Sequence, residues 1–308
     1  MNKTTENKII EKVSILHVIT AAKNASPFDI NMAFDAGFDK IVPYTNVLLN
    51  EVTGLTQDAI FSRSPSGVKR EAIFIGGRDI DLAMQMLNTA KAAMFARFEC
   101  SVFADPSGAF TTAAAMVAKV EHHLKRQFGE SLNGKTLSVF GATGPVGGCA
   151  AIIAALQGAC VQLVAHESVA DVAEKAAHWN AIYNVNLIAA DGTTDLAKEA
   201  VLANSELVLC AAAAGVEVLS QSQLIAAKQL KIIADVNAVA PLGVAGVGVN
   251  DDGVQLSNGA FGIGALAIGQ LKYAAQHQLL KLMLSDDKPQ TLDFIAAFTL
   301  AQSLSKSE

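Results

Sequence analysis

The chain has 308 residues, 51% hydrophobic and only 17% charged, with 29 acidic against 23 basic side chains and a net charge of −6. That length accommodates two domains and a large core, and the absence of any basic cluster argues against nucleic acid as a partner. The four cysteines (Cys100, Cys149, Cys160, Cys210) form no C-x-x-C pair, and the polar start, Met1 to Lys8, has no apolar signal core. Together they predict a reducing cytoplasm, no disulfide framework and no metal site.

In chain order, residues 12–21 read as a first strand. Ser26-Pro27-Phe28-Asp29 then opens a helix to about Phe38, with Ser26 and Asp29 spaced as a capping box and Pro27 at the first helical position. Asp29 is therefore either a capping residue or a substrate-binding one. Lys40 to Tyr44 is a second strand. Residues 44–70 are polar and rich in Ser, Thr and Gly, which predicts loops on a ligand-facing edge. Glu71 to Gly77 is a strand and turn, residues 79–95 repeat at helical period, and Cys100 to Ala104 is a strand leading into an Ala-rich helix that ends near Phe128. Between these two stand Asp105, Thr111 and Thr112. A carboxylate and two hydroxyls after a parallel strand stand where α/β folds place ligand groups. The alternative is that Thr111 caps the helix and Asp105 holds the loop.

The next stretch, Lys135 to Ile152, combines a short apolar strand, a glycine turn and an apolar helix start. Gly141, Gly144 and Gly147 fill a G-x-x-G-x-x-G pattern, with Ala142 at the first position of the stricter G-x-G-x-x-G form. Glycine there lets a pyrophosphate approach the backbone, and the helix N-terminus supplies free N–H groups to it. Pro145 takes the first helical position. Gly141, Thr143, Gly144, Pro145, Val146 and Gly147 are thus candidate dinucleotide contacts. Residues 136–165 carry no charge. Their glycines and turns read as a strand-helix-strand unit buried on both faces, not as a membrane span.

The second strand of this unit, 161–165, ends in His166-Glu167-Ser168. Glu167 stands near the spacing of the acid that bonds an adenosine ribose, which favours NAD, with NADP also admitted; the alternative is that it caps the next helix. Further strands are expected at 186–189, 207–211 and 231–236. Ala212, after the fourth, and Asn237, after the fifth, are candidate cofactor contacts, Asn237 being alternatively a turn residue. The glycines from Gly259 to Gly264 predict a loop or helix start, followed by helices to about Leu284 and over 289–304. Lys272, in an apolar segment, reads on its own as a snorkelling surface lysine.

The fold class that emerges is α/β. A Rossmann-type doubly wound parallel sheet over 129–271 joins an N-terminal α/β substrate domain over 1–128, which the C-terminal helices of 272–308 complete. No G-x-S-x-G elbow and no H-E-x-x-H pair is present, and the adjacent His122 and His123 point apart on a helix. A nucleotide fold without such groups fits hydride transfer, where the cofactor supplies the reactive atom.

Several segments outside the glycine loop carry a resemblance. They are Ser26 to Phe38, Leu55 to Arg63, Ile73 to Gly77, Val102 to Thr112, Asp235 to Gly243 and Gly262 to Tyr273. The chain resembles the NAD(P)-dependent methylene-tetrahydromethanopterin dehydrogenases of methylotrophic bacteria, from about residue 12 to the end. The resemblance implies oxidation of 5,10-methylene-tetrahydromethanopterin to the methenyl form, with NAD or NADP as hydride acceptor, in formaldehyde oxidation. It implies a pterin in the cleft between two domains, Lys272 beside it, and Asp105, Thr111, Thr112 and Asp29 facing that cleft, with Lys272 and Asp105 as the catalytic candidates. It also implies a homo-oligomer. Relatives that prefer NADP have an arginine where His166 and Glu167 stand here, so strict NADP use is not expected. The Tyr-x-x-x-Lys pair of folate dehydrogenase–cyclohydrolases is missing, so cyclohydrolase activity is not expected either. Competing readings are the same reaction on methylene-tetrahydrofolate, and a non-catalytic dinucleotide-binding sensor.

Overall fold

The computed structural model describes residues 13–285 and 288–306; the polar start and residue 12 of the first expected strand lie outside the described residues. The first half of the chain alternates strand and helix: β1 Ile15–Ile19, α1 Pro27–Ala36, β2 Lys40–Tyr44, α2 Val52–Phe61, β3 Glu71–Ile75, α3 Ile80–Ala92, β4 Ser101–Ala104 and α4 Ala109–Phe128. The second half continues with β5 Thr136–Phe140, α5 Pro145–Leu156, β6 Cys160–Ala165, α6 Val169–Tyr183, β7 Leu187–Asp191, α7 Asp195–Ala203 and β8 Leu207–Cys210. It ends with α8 Gln221–Ala226, β9 Ile232–Asp235, β10 Asp252–Gln255, β11 Phe261–Ile263, α9 Ala265–Met283, β12 Thr291–Leu292 and α10 Phe294–Ser305.

These strands form two sheets. The first, in order β12-β4-β3-β1-β2, is parallel throughout. The second runs β10-β11-β9-β8-β5-β6-β7, parallel except for the antiparallel pair β10–β11. Leaving β10 aside, the second order is the 3-2-1-4-5-6 arrangement of dinucleotide-binding folds, reversing direction between β5 and β8. The first has the 2-1-3-4-5 order, reversing between β1 and β3. Every residue of the central strand β3 is buried, whereas the edge strand β2 is mostly exposed; that is how a sheet covered by helices on both faces divides its apolar residues.

Helix α4 lies in the interior between the two sheets. Residues 113–118, Ala-Ala-Ala-Met-Val-Ala, are all fully buried, and the helix packs against α5, α9 and α10. Alanine on that many faces lets neighbouring helices approach closely at little loss of side-chain entropy. Helix α9 leaves the carboxyl edge of the second sheet and runs back along α4 and α1. The domain boundary expected at residue 271 falls inside this continuous helix.

Two further expectations need correction. Residues 44–70 are not all loop: α2 occupies their middle, and a short 3-10 turn precedes it. Its buried positions, Val52, Thr56, Ala59 and Ile60, follow helical spacing but include a threonine and an alanine, so the apolar stripe is faint. The final helix starts at Phe294 rather than 289, because Thr291 and Leu292 pair with β4 and extend the first sheet.

The two halves are also tied by α6. Asp81 near the start of α3 accepts from Trp179 Nε1 at 3.0 Å and from Lys175 Nζ at 2.9 Å. Trp179 is 1% exposed, and its indole lies so close to Gly148 of α5 that a Cβ there would stand 2.3 Å from it. Trp179→Ala would therefore lose a filled volume and the bond to Asp81 together. An unfolding titration in urea should show a loss of about 3–5 kcal/mol; a loss below about 1 kcal/mol would mean this contact is not a structural tie.

Candidate functional site

The glycine loop sits at the carboxyl end of β5, at the reversal point of the second sheet. Gly141 has φ +75°, and a Cβ on it would stand 2.4 Å from the Ala211 carbonyl oxygen. A Cβ on Gly147 would stand 2.3 Å from the Gly141 carbonyl oxygen. Both glycines are thus required by the fold as well as suited to a phosphate. Gly144 occupies the N-cap of α5 in extended geometry and Pro145 follows at the first helical position, so no side chain blocks the helix start. Thr143 and Pro145 are exposed, Val146 is half-buried beside them, and Ala212 is half-buried on the facing loop after β8.

His166 and Glu167 follow β6, the strand next to β5, with side chains 80% and 83% exposed. The helix behind them is capped by Ser168, whose hydroxyl accepts from Asp171 N at 3.2 Å. Glu167 is therefore not the cap; its exposed carboxylate lies 3.4 Å from His166 Nε2, just past the end of β6. Asn237 is tied into its surroundings: Oδ1 accepts from Val239 N at 2.9 Å and Gly215 N at 3.3 Å, and Nδ2 donates to the Pro241 carbonyl at 3.0 Å. Asp235 below it accepts from Asn237 N and Val244 N. Asn237 thus holds the loops after β8 and β9 together, the turn role that the sequence left open.

At the carboxyl edge of the first sheet, the five remaining candidates come together with residues that sequence reasoning did not single out. Asp105, fully buried, accepts from Phe110 N at 2.9 Å, Thr111 N at 3.1 Å and Thr111 Oγ1 at 2.6 Å. The N-cap of α4 is Gly108, φ +67°, not Thr111; the carboxylate of Asp105 satisfies the first-turn N–H groups instead. Thr111 is itself fully buried behind Asp105, so it supports that carboxylate and does not face the cleft as the resemblance implied. Thr112 donates to the Gly108 carbonyl at 2.6 Å.

Lys272 on α9 reaches the same place. A Cβ on Gly108 would stand 3.1 Å from both Cε and Nζ of the lysine. Its ammonium lies 3.7 Å from the centroid of the Phe28 ring, a cation–π contact, and donates to Gln276 Oε1 one turn further along α9. Gln276, fully buried, donates from Nε2 to Asp29 Oδ1 at 3.0 Å. Ser26 caps α1 as expected, but the Asp29 carboxylate is bound by Gln276 rather than closing a capping box. Gln276 and Phe28 carried weak signals in the sequence: a polar residue four after Lys272, and an aromatic beside Asp29.

The cluster holds two carboxylates and one ammonium in a mostly dry setting. Burial, and then the charge of Asp105, push Asp29 up to about 7. Burial also raises Asp105, against the opposing pull of Lys272 and the Thr111 and Phe110 hydrogen bonds. Burial lowers Lys272, and the two aspartates oppose it. Among the described residues, no three His, Cys, Asp or Glu side chains gather as a metal-binding group, and no helix is long and apolar enough to cross a membrane.

Because the folded-state value of Asp29 lies above its unfolded one, its effect on stability has a definite sign. Below about pH 4 the group is protonated in both states and carries no penalty; as pH rises towards and through 7, folding must hold it neutral or bury its charge. Asp29→Asn, which keeps an acceptor for Gln276, should therefore raise the melting temperature relative to wild type. The gain should be absent at pH 4 and grow to several degrees by pH 8. A gain independent of pH would show that the buried charge is not its source.

The family model for the N-terminal part of methylene-tetrahydromethanopterin dehydrogenase matches residues 27–107, the stretch from α1 to the Asp105 loop. The chain is 45% identical over 289 residues to the NAD(P)-dependent methylenetetrahydromethanopterin dehydrogenase of Methylorubrum extorquens, covering 94% of this chain and 97% of that one. It is 32% identical to the bifunctional protein MdtA of the same organism, over 80% of this chain and 84% of that one. Among solved structures it is similar to shikimate 5-dehydrogenase from Listeria monocytogenes at TM-score 0.50 and 13% identity, covering 95% and 96% of the two chains, a likeness of fold alone. Identity of this degree over nearly the whole of both chains places the protein in the family of NAD(P)-dependent methylene-tetrahydromethanopterin dehydrogenases.

Proposed function

We propose that this protein oxidises 5,10-methylene-tetrahydromethanopterin to the 5,10-methenyl form, in the cytoplasm, as a step of formaldehyde oxidation. The observation that carries this reading is the end-to-end identity to the Methylorubrum dehydrogenase. The glycine cradle at β5 and the charged cluster at β4 supply the chemistry it needs. In this reading the N-terminal half with the C-terminal helices binds the pterin, and residues 129–271 bind the dinucleotide. The loop of Gly141, Thr143, Gly144, Pro145, Val146 and Gly147 holds the pyrophosphate, and Glu167 bonds the adenosine ribose. Ala212 lines the crevice without obstructing it, and Asn237 shapes its nicotinamide end. Bound NAD(P)+ supplies the hydride acceptor.

The residues of the chain then have separate tasks. Lys272, half-buried where Asp29 and Asp105 are buried, is the group of the cluster most open to a ligand; in this reading it binds the polar edge of the pterin ring and fixes the distance for hydride transfer. Loss of hydride leaves positive charge on an N–C–N amidinium, so no general base is needed. With both aspartates ionised, Asp29 and Asp105 outweigh Lys272 and give the cluster a net charge of −1, which favours that cation from a low-dielectric setting. With Asp29 protonated the cluster is neutral and the advantage is lost. Thr111 and Thr112 hold the loop that carries Asp105. The exposed Phe61 and Phe95, which stand with the half-buried Phe98 at ring centroids 5.3–5.8 Å apart, support assembly as a homo-oligomer.

Initial rates on methylene-tetrahydromethanopterin and methylene-tetrahydrofolate, each with NAD+ and NADP+, test the function. Turnover on the methanopterin substrate is expected, with kcat/KM higher than on the folate one. Absence of turnover in all four mixtures would leave a dinucleotide-binding protein without this activity. For wild type, kcat/KM should rise with pH through about 7, as Asp29 ionises; Asp29→Asn should lower it and flatten that limb. Glu167→Ala should raise KM for NAD+ by about 10–100-fold, the loss of hydrogen bonds to a charged group, and leave NADP+ nearly unaffected. An unchanged KM for NAD+ would remove Glu167 from the ribose site.

A further inference from the structure

The charged cluster contains one residue that its sequence leaves without a role. Gln276 is fully buried, yet it stands between the only ammonium and one of the two carboxylates of the cluster. Its orientation is forced. The lysine can only donate and an ionised carboxylate can only accept, so the amide oxygen must face Lys272 and the amide nitrogen must face Asp29. The alternative rotamer would set donor against donor and acceptor against acceptor.

We propose that Gln276 is the positioning residue of this site: it holds the Lys272 ammonium apart from Asp29, so that the ammonium stays available to the substrate and the carboxylate stays ionisable behind it. Three contacts define where the ammonium sits, namely the Gln276 carbonyl, the face of Phe28 and the close surface of Gly108. Among the described residues, the hydrogen bond to Gln276 is the one the ammonium makes, which leaves two of its three N–H donors for a ligand. A direct Lys272–Asp29 ion pair would satisfy the same groups without Gln276, but it would spend the lysine's charge on the protein and draw Nζ towards α1. The interposed neutral amide satisfies both partners and neutralises neither. The i to i+4 spacing on α9 makes the arrangement rigid, because both side chains project from one face of one helix.

This inference rests on the proposed function for its catalytic meaning but not for its structural content, so it is tested with and without substrate. The first measurement is a 13C NMR titration of the Asp29 carboxyl in wild type and in Gln276→Met. The groups facing Asp29 are Gln276 and Lys272 from α9, Asp105 from the loop before α4, and Ser26 at the cap of its own helix. Loss of the Gln276 N–H, which favours the charged carboxylate, should move its midpoint to higher pH by half a unit or more. An unchanged midpoint overturns the proposal whether or not the protein is active.

The second measurement is steady-state kinetics. Gln276→Met should lower kcat on the pterin by about 10–100-fold with KM for the dinucleotide unchanged, and shift the acid limb of kcat/KM upward. Gln276→Glu, protonated at low pH, reproduces both hydrogen bonds; its rate relative to Gln276→Met should be highest on the acid side and fall as pH rises. Should Gln276→Met not fold, the Glu variant decides by the same pH trend, read against wild type. Wild-type turnover lost in Lys272→Met but kept within twofold in both Gln276 variants would sink this proposal and leave the function standing. An inactive wild type whose Asp29 midpoint still responds to Gln276 would do the reverse.

Discussion

The close packing of α4 is the constraint on which the rest of the structure depends. Its run of alanines is buried on all sides, and α5, α9 and α10 lie against it. Larger side chains there would push α9 outward, and with it Lys272. The first turn of α4 carries the Asp105 loop, and its Gly108 lies against the Lys272 side chain. One helix interface therefore determines both the join between the two sheets and the distance between a carboxylate and an ammonium. Small residues at that interface are a requirement of the site as much as of the core.

The electrostatics follow from the same geometry. A carboxylate pair placed in apolar surroundings is unfavourable, and the rise of Asp29 to about 7 reports that cost. The structure offsets it with donors rather than with solvent. Asp105 takes three hydrogen bonds from the start of α4, and Asp29 takes one from a buried amide. What remains is a carboxyl group poised near neutral pH beside an ammonium that burial also disfavours. Strain of this kind, held in place by a well-packed scaffold, is common where a site must act on charge developing in a reaction.

The sequence was most legible where one physical requirement dominated. The buried strands read as short apolar runs bounded by turn residues, and the strand-turn-helix at the glycine loop was legible because a Cβ at Gly141 or Gly147 has no room. It was least legible where several weak contributions shared the work. Helix α2 buries Val52, Thr56, Ala59 and Ile60 among polar neighbours, a pattern that composition alone takes for a loop. Strand β12 has two residues and exists only because β4 offers it an edge. For Asn237 and Thr111 the sequence leaves a ligand contact and a structural role equally open, and both spend their polar atoms on neighbouring loops. A polar side chain near a sheet edge does not announce whether its partner is the protein or a ligand, since the same hydrogen-bonding atoms serve either.

Gln276 shows the same limit from the other side. In sequence it is one glutamine on a long amphipathic helix, with no charge and no motif. Its importance arises only when α1 folds back against α9 and delivers Asp29 to it, from 247 residues away. A buried amide in that place would be costly without both partners, so its presence there carries information that its residue type does not. A direct ion pair would neutralise the two charges of the site against each other; the structure instead keeps them apart, across a neutral group that holds the lysine and does not let the aspartate go unpaired. That choice leaves a fixed ammonium with free donors on one side and a titratable carboxylate behind it, a separation that a reaction generating a cation can use.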